Sequence, residues 1–294
     1  MLFRTSARLM VSAALVAMLM ACGGGEQRQV IQNKGSDTLV NVAQAWAEAY
    51  QMVDPAVVVA VSGGGSGTGI AALINGTVDI ANASRAMKEK EVEMAVAAGN
   101  QPMEHVVGFD ALAVYLHADN PATHMSIEQL AEIYGDGGTY TKWTDLGLEV
   151  PGCQGQEIVV VSRQNNSGTY AYFRQVVLGK EGDFRLGTRD MHGSKDVVDL
   201  VENTPCAIGY SGLAYATDHV KLACVDTGVG EECVTPSVST ASDGSYPIAR
   251  PLLMYTNVEP APHVAAYLNW IKSDQGQCII KEKGYAPATD VTCG

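Results

Sequence analysis

The chain has 294 residues and a formal charge of −13, with 32 acidic side chains against 19 basic ones. Such a balance argues against nucleic acid and anionic lipid as partners, since both are bound through clustered cations. It does not exclude a small anion, because repulsion is screened within about 8–10 Å at ordinary salt while buried N–H donors act at contact.

Arg4 and Arg8 precede an uncharged run, Leu9 to Ala21. The run is shorter than the roughly 20 residues a membrane crossing needs and reads as an export signal. It ends Leu19-Met20-Ala21-Cys22, followed by Gly23-Gly24-Gly25. This resembles the lipobox of bacterial lipoproteins, in which cleavage before the cysteine leaves that cysteine lipid-modified. The expected order is a signal peptide over 1–21, a lipid-anchored tether over 22–28, and a folded body carrying no further membrane helix.

Along the body the pattern is α/β, and the length fits one large domain or two ordinary ones. Gln44–Tyr50 has helical spacing, and Val57–Val61 is a short β-branched run. Val78–Ile80, Ala111–Leu116 and Glu157–Ser162 read as buried strands. Ile127–Tyr134, Tyr170–Leu178, Val197–Glu202 and Val264–Lys272 carry apolar residues at helical intervals. Gly228–Gly244, rich in Gly, Ser, Thr and Glu, reads as a surface excursion pinned by Cys233.

The stretch SGGGSGTG at 62–69 runs into an amphipathic segment and could cradle an anion on backbone N–H groups. It is not a Walker loop, because Ile70 follows Gly69 where Lys is required. It is not a nucleophile elbow either, because Thr68 follows Gly64-Gly65-Ser66-Gly67. Two further helix starts share its chemistry: Gly35-Ser36-Asp37-Thr38 and Ser167-Gly168-Thr169. A capping hydroxyl explains any one of them. Three together, with Arg85 and Arg163 near in sequence, suggest donors converging on one anion at the carboxyl ends of strands.

With Cys22 assigned to lipid, six cysteines remain: Cys153, Cys206, Cys224, Cys233, Cys278 and Cys293. An even number in an exported chain points to disulfides, with 15 pairings open. Proximity favours Cys224–Cys233 and Cys278–Cys293, leaving Cys153–Cys206. No Cys or His spacing suits zinc, so no metal is expected. The six histidines, His105, His117, His124, His192, His219 and His263, lie outside the three helix starts. No enzyme activity is therefore expected, an exported hydrolase being the alternative that would need an activated nucleophile.

Three segments, NKGSDTLVNVAQAWAEAY, SGGGSGTGIAALINGTVDIANASR and VVSRQNNSGTYAYF, resemble the phosphate-binding subunits of bacterial phosphate ABC transporters. MSIEQLAEIYGDGGTYTKWTDLG, AIGYSGLAYA, YPIARPLLMYTN and YLNWIKSDQGQCIIKEKGYAPA continue that resemblance in order, over roughly residues 30–290. It implies an α/β fold of the type II periplasmic-binding-protein kind. Lobe one would span 29–112 with 253–294, and lobe two 113–252, with hinge crossings near Leu112–Leu116 and Ile248–Met254. It further implies a monomer that binds inorganic phosphate without a cofactor and delivers it to an ABC permease. Sensing of another tetrahedral oxyanion, sulfate or arsenate, is the alternative role.

The resemblance also implies a ligand set. Ser36, Thr38 and the backbone of Leu39 come from the first helix start, and Ser66 and Gly67 from the second. Ser84 or Arg85 closes DIANASR, and Arg163, Ser167, Gly168 and Thr169 come from the other lobe. Some members carry Ser-Asp where this chain has Ser84-Arg85, and that Asp accepts the proton of hydrogen phosphate. Asp110, in GFDALAVY, is the leading substitute here. Asp37 is second, its place beside Thr38 also suiting a helix cap.

Overall fold

The computed structural model describes residues 28–228 and 231–293; the expected signal peptide, Cys22 and nearly all of the tether lie outside them. In the first half, β1 (Gln29–Gly35), α1 (Val40–Val53), β2 (Val57–Ser62), α2 (Ser66–Ile74), β3 (Ile80–Ala83) and α3 (Glu89–Ala97) alternate strand and helix. β1 pairs in parallel with both β2 and β3. A 16-residue strand, β4 (Pro102–His117), leads into the second half. There follow β5 (His124–Ser126), α4 (Ile127–Tyr134), β6 (Val159–Arg163), α5 (Gly168–Phe173), β7 (Arg189–Met191) and α6 (Ser194–Glu202). β8 (Ala207–Gly212), β9 (Val220–Asp226) and α7 (Val238–Ser242) complete that half. The chain returns through β10 (Ala249–Asn257) and ends in α8 (Pro262–Ile271), α9 (Asp274–Glu282) and β11 (Ala286–Pro287).

β4 belongs to both halves. Its stretch Pro102–Ala111 runs antiparallel to β10, while Leu112–Leu116 pairs with β8 and Val114–His117 with β9. The handover at Ala111–Leu112 lies beside the start of β10, whose Ala249 is in register with Ala111. The chain therefore passes between halves at two adjacent points of one sheet. Each half has its own core. On one side α1 buries Val42, Trp46 and Tyr50 at helical spacing against Ile31, Val107, Leu252 and Tyr267. On the other, Tyr134, Phe173 and Tyr210 meet, with the Phe173 and Tyr210 rings stacked 3.7 Å apart. Each fully buried side chain of this size contributes about 1.5–3 kcal/mol.

Several element bounds differ from the sequence reading. The strand expected at Val78–Ile80 starts only at Ile80, because Asp79 meets β1 partly through its side chain: its N–H donates to Gln32 O, but it is the carboxylate and not a backbone carbonyl that accepts from the Gln32 N–H, at 2.7 Å. The helix expected over Tyr170–Leu178 starts earlier and widens into a π-type turn from Arg174 to Leu178. Within Gly228–Gly244, the described part includes α7, whose cap Ser237 accepts from the Thr240 N–H at 3.0 Å. Among the described residues the disulfides are Cys153–Cys206, Cys224–Cys233 and Cys278–Cys293, each contained within one half.

Candidate functional site

Where the halves meet, hydroxyls from four segments are buried together: Ser36, Thr38, Ser66, Ser84 and Thr169. Ser36 Oγ donates to Ser84 Oγ at 3.0 Å, and the Ser84 N–H donates to Ser66 Oγ at 3.0 Å. Thr38 and Thr169 face each other from opposite halves, their Oγ1 atoms 3.2 Å apart. The glycines explain how backbones come this close. A Cβ on Gly168 would lie 2.2 Å from Ser66 Oγ and 2.6 Å from Ser84 Oγ. Gly65, at φ 87°, lets the Asn166 carbonyl of the other half pass where a Cβ would stand 2.6 Å away.

The centre of this cluster is Arg250, which the sequence reading did not single out. Its Nη2 donates to Asp110 Oδ2 at 2.8 Å and to Thr38 Oγ1 at 3.2 Å. Its Nη1 donates to Thr169 Oγ1 at 3.1 Å and to the Ser84 carbonyl at 3.3 Å, and its Nε to Asp110 Oδ2 at 3.1 Å. Arg250 and Asp110 are register partners on β10 and β4, and neither side chain is solvent-exposed. Burial pushes the Asp110 carboxyl above its ordinary range, an effect the Arg250 charge partly offsets. Among the described residues Asp110 Oδ1 has no hydrogen-bond partner, leaving one buried acceptor at the cluster. A sequence signal existed: GFDALAVY and IARPLLMY each carry one charge in an apolar strand, and two such charges bury only as a pair.

Arg163 and Asp37 form a second ion pair, between the halves, with Nη2 2.9 Å from Oδ2. The other Arg163 donors reach Ser194 Oγ and the carbonyls of Met191 and His192. The expected capping role of Asp37 is not what its carboxylate does: Oδ1 accepts from the Gly64 N–H at 2.8 Å and Oδ2 from Arg163. Tyr215 donates to the Asp37 carbonyl at 2.7 Å and Tyr285 to that of Thr38, and burial keeps both phenols neutral by raising them.

The remaining expected ligands divide. Ser167 is a helix cap, accepting from the N–H groups of Thr169 and Tyr170. Gly67 donates its N–H to the Asn166 carbonyl at 2.9 Å, and Leu39 donates within its own turn to Ser36 O. Ser36 and Ser66 do not cap their helices; their hydroxyls turn to Ser84 instead. Arg85 leaves the cluster, its two terminal nitrogens each 2.8 Å from a Glu91 oxygen. His124, Asp226 and Cys233 come within ligating distance of one another, but Cys233 is bonded to Cys224 and has no thiolate to offer.

Two halves, each with its own core, thus enclose a polar, donor-rich centre at a double strand crossing: the form of a two-lobed binding protein. Residues 23–275 match the family described as the PBP superfamily domain. Similarity at sequence level is narrower. The chain is 34% identical over 268 residues to the phosphate-binding protein PstS of Pseudomonas aeruginosa, covering 87% of this chain and 82% of that one. It superposes with a TM-score of 0.78 and 28% identity on a Clostridium perfringens structure described as a phosphate ABC transporter substrate-binding protein with bound phosphate, covering 89% of this chain and 100% of the other. An ABC-type phosphate transport receptor from Vibrio cholerae aligns at 0.70 and 27%, covering 87% and 99%. The chain belongs to the phosphate-binding subunit family of bacterial phosphate ABC transporters.

Proposed function

We propose that this protein binds inorganic phosphate between its lobes, outside the cytoplasmic membrane, and hands it to an ABC permease. The observation that carries this reading is the cluster of five buried hydroxyls, drawn from both halves, around the Arg250–Asp110 pair. Hydroxyls and a guanidinium donate to phosphate oxygens. The unpartnered Oδ1 of Asp110 is the acceptor for the proton of hydrogen phosphate, a proton sulfate lacks at neutral pH. Residues 29–112 with 253–294, and 113–252, act as lobes that open and close about the β4 and β10 crossings.

Binding in this reading involves no turnover and no cofactor, and the protein acts as a monomer. A lipid on Cys22 holds it at the membrane; among the described residues no helix is long and apolar enough to cross a bilayer. Calorimetric titration of phosphate and sulfate into protein stripped of carried-over phosphate is the test. Tight phosphate binding with weak or absent sulfate binding is the expected result, and equal affinity for both would remove Asp110 from its assigned role.

A further inference from the structure

A cleft of about 560 Å³ opens between the halves next to the buried cluster. It is lined by Arg85 and Lys88 from the first half, by Tyr170, Arg174 and Lys180 from the second, and by Arg250 at the β10 crossing. Among the described residues no carboxylate lines it, in a chain whose acidic residues outnumber its basic ones 32 to 19. The two outer arginines have acidic partners just beyond the lining, Glu91 for Arg85 and Asp183 for Arg174. Arg174 nevertheless keeps a buried Nε with no partner among the described residues. Lys88 and Lys180 are exposed and form no ion pair among the described residues.

The cleft is within the roughly 300–1,000 Å³ of sites that hold whole small molecules, more room than one tetrahedral oxyanion fills. Arg250 borders the cleft and donates to the buried hydroxyls, but its side chain is out of solvent, so the cleft's solvent-facing charge is carried by Lys88, Lys180 and the outer arginines. We infer that this cleft is a capture site for the phosphate anion, which it holds at the mouth before the anion passes to the buried cluster. The inference rests on the phosphate reading above. The physical need is specific to this chain: its net negative charge repels a dianion at long range. One-signed charge in a low-dielectric cleft focuses the local field and raises association rates by about 10–10³-fold, steeply dependent on ionic strength.

The test is the rate of association of inorganic phosphate, by rapid mixing against a competing fluorescent phosphate probe. Lys88→Glu/Lys180→Glu should slow association at least about tenfold at low ionic strength. At high ionic strength, where screening falls to a few ångströms, it should slow it by less than about twofold. The dissociation rate should stay near wild type, since neither lysine touches the buried cluster. Lys142→Glu/Lys195→Glu makes the same change in net charge away from the cleft and should have little effect at either salt concentration. Unchanged association in the first variant at low salt, or equal slowing in both, overturns the capture site while leaving phosphate binding intact. Failure of the wild type to bind phosphate overturns the phosphate reading and this inference with it.

Discussion

Arg250 and Asp110 face each other in register across the two strands that join the halves, 2.8 Å apart and out of solvent. The pair sits where the chain crosses between lobes, so it serves the fold and the ligand at once. Removing one member of a buried pair strands the other charge. Arg250→Ala should therefore cost about 3–5 kcal/mol of stability in denaturant titration, and Arg250→Ala/Asp110→Ala should recover part of that loss. Independent, additive losses would mean that the pair is not coupled. Asp110→Asn should narrow the gap between phosphate and sulfate by a tenfold step, about 1.4 kcal/mol, mainly by admitting sulfate.

Asp37 and Arg163 are tied across the interface, and the five N–H donors of a guanidinium let Arg163 hold an anion while keeping its carboxylate partner. Arg163→Ala should weaken phosphate binding by about 2–5 kcal/mol. Asp37→Asn should leave affinity within about 1 kcal/mol while loosening the contact between the halves, a charge-assisted hydrogen bond being worth about 1.5–3 kcal/mol. Small-angle scattering of the ligand-free variant should then report a larger radius of gyration. Equal affinity losses in the two variants would make Arg163 a latch and not a ligand.

Gly168 separates folding from closure. Gly168 is the first residue of α5, where interior helix propensity counts for little, so Gly168→Ala should change thermal stability by less than about 1 kcal/mol. Its Cβ would intrude on Ser66 and Ser84 of the other half. Phosphate affinity should fall at least about tenfold, a change of 1.4 kcal/mol. Full affinity in this variant would show that the two hydroxyls can turn away without cost.

Cys278–Cys293 closes a loop of 15 residues in sequence separation beside the chain terminus. Cys278→Ser/Cys293→Ser should lower stability by about 3 kcal/mol on the chain-entropy estimate. Phosphate affinity should not change, because the bond lies within one lobe. A loss of affinity without a loss of stability would contradict that assignment.

Glu91 supplies a pH test. Burial alone would raise its carboxyl, but the hydrogen bonds and charge of Arg85 outweigh burial and leave it below the ordinary 4.5. A carboxylate lowered in the folded state contributes stability that is present above its unfolded value and lost as pH falls through the folded one. Glu91→Gln should flatten the decline in denaturation midpoint between about pH 5 and 3. An unchanged profile would assign that decline to other carboxylates.

Local pattern was enough for much of this protein. Helical spacing marked α4, α6 and α8, β-branched runs marked β2 and β6, and proximity favoured two of the observed cysteine pairs and left the third, one pairing out of 15. Hydroxyls beside glycines at three helix starts pointed to Ser36, Thr38, Ser66 and Thr169, because a short polar side chain with a flexible neighbour is a local signature. Tertiary structure alone decided the partners. Asp110 and Arg250 are 140 residues apart, and Asp37 and Arg163 are 126 apart, so no spacing rule links either pair. Nor could sequence say that Arg85 would turn to Glu91 while Arg250 took the centre. A buried cation goes where an opposite charge and matching acceptors already wait, and only the antiparallel register of β4 and β10 sets Asp110 opposite Arg250.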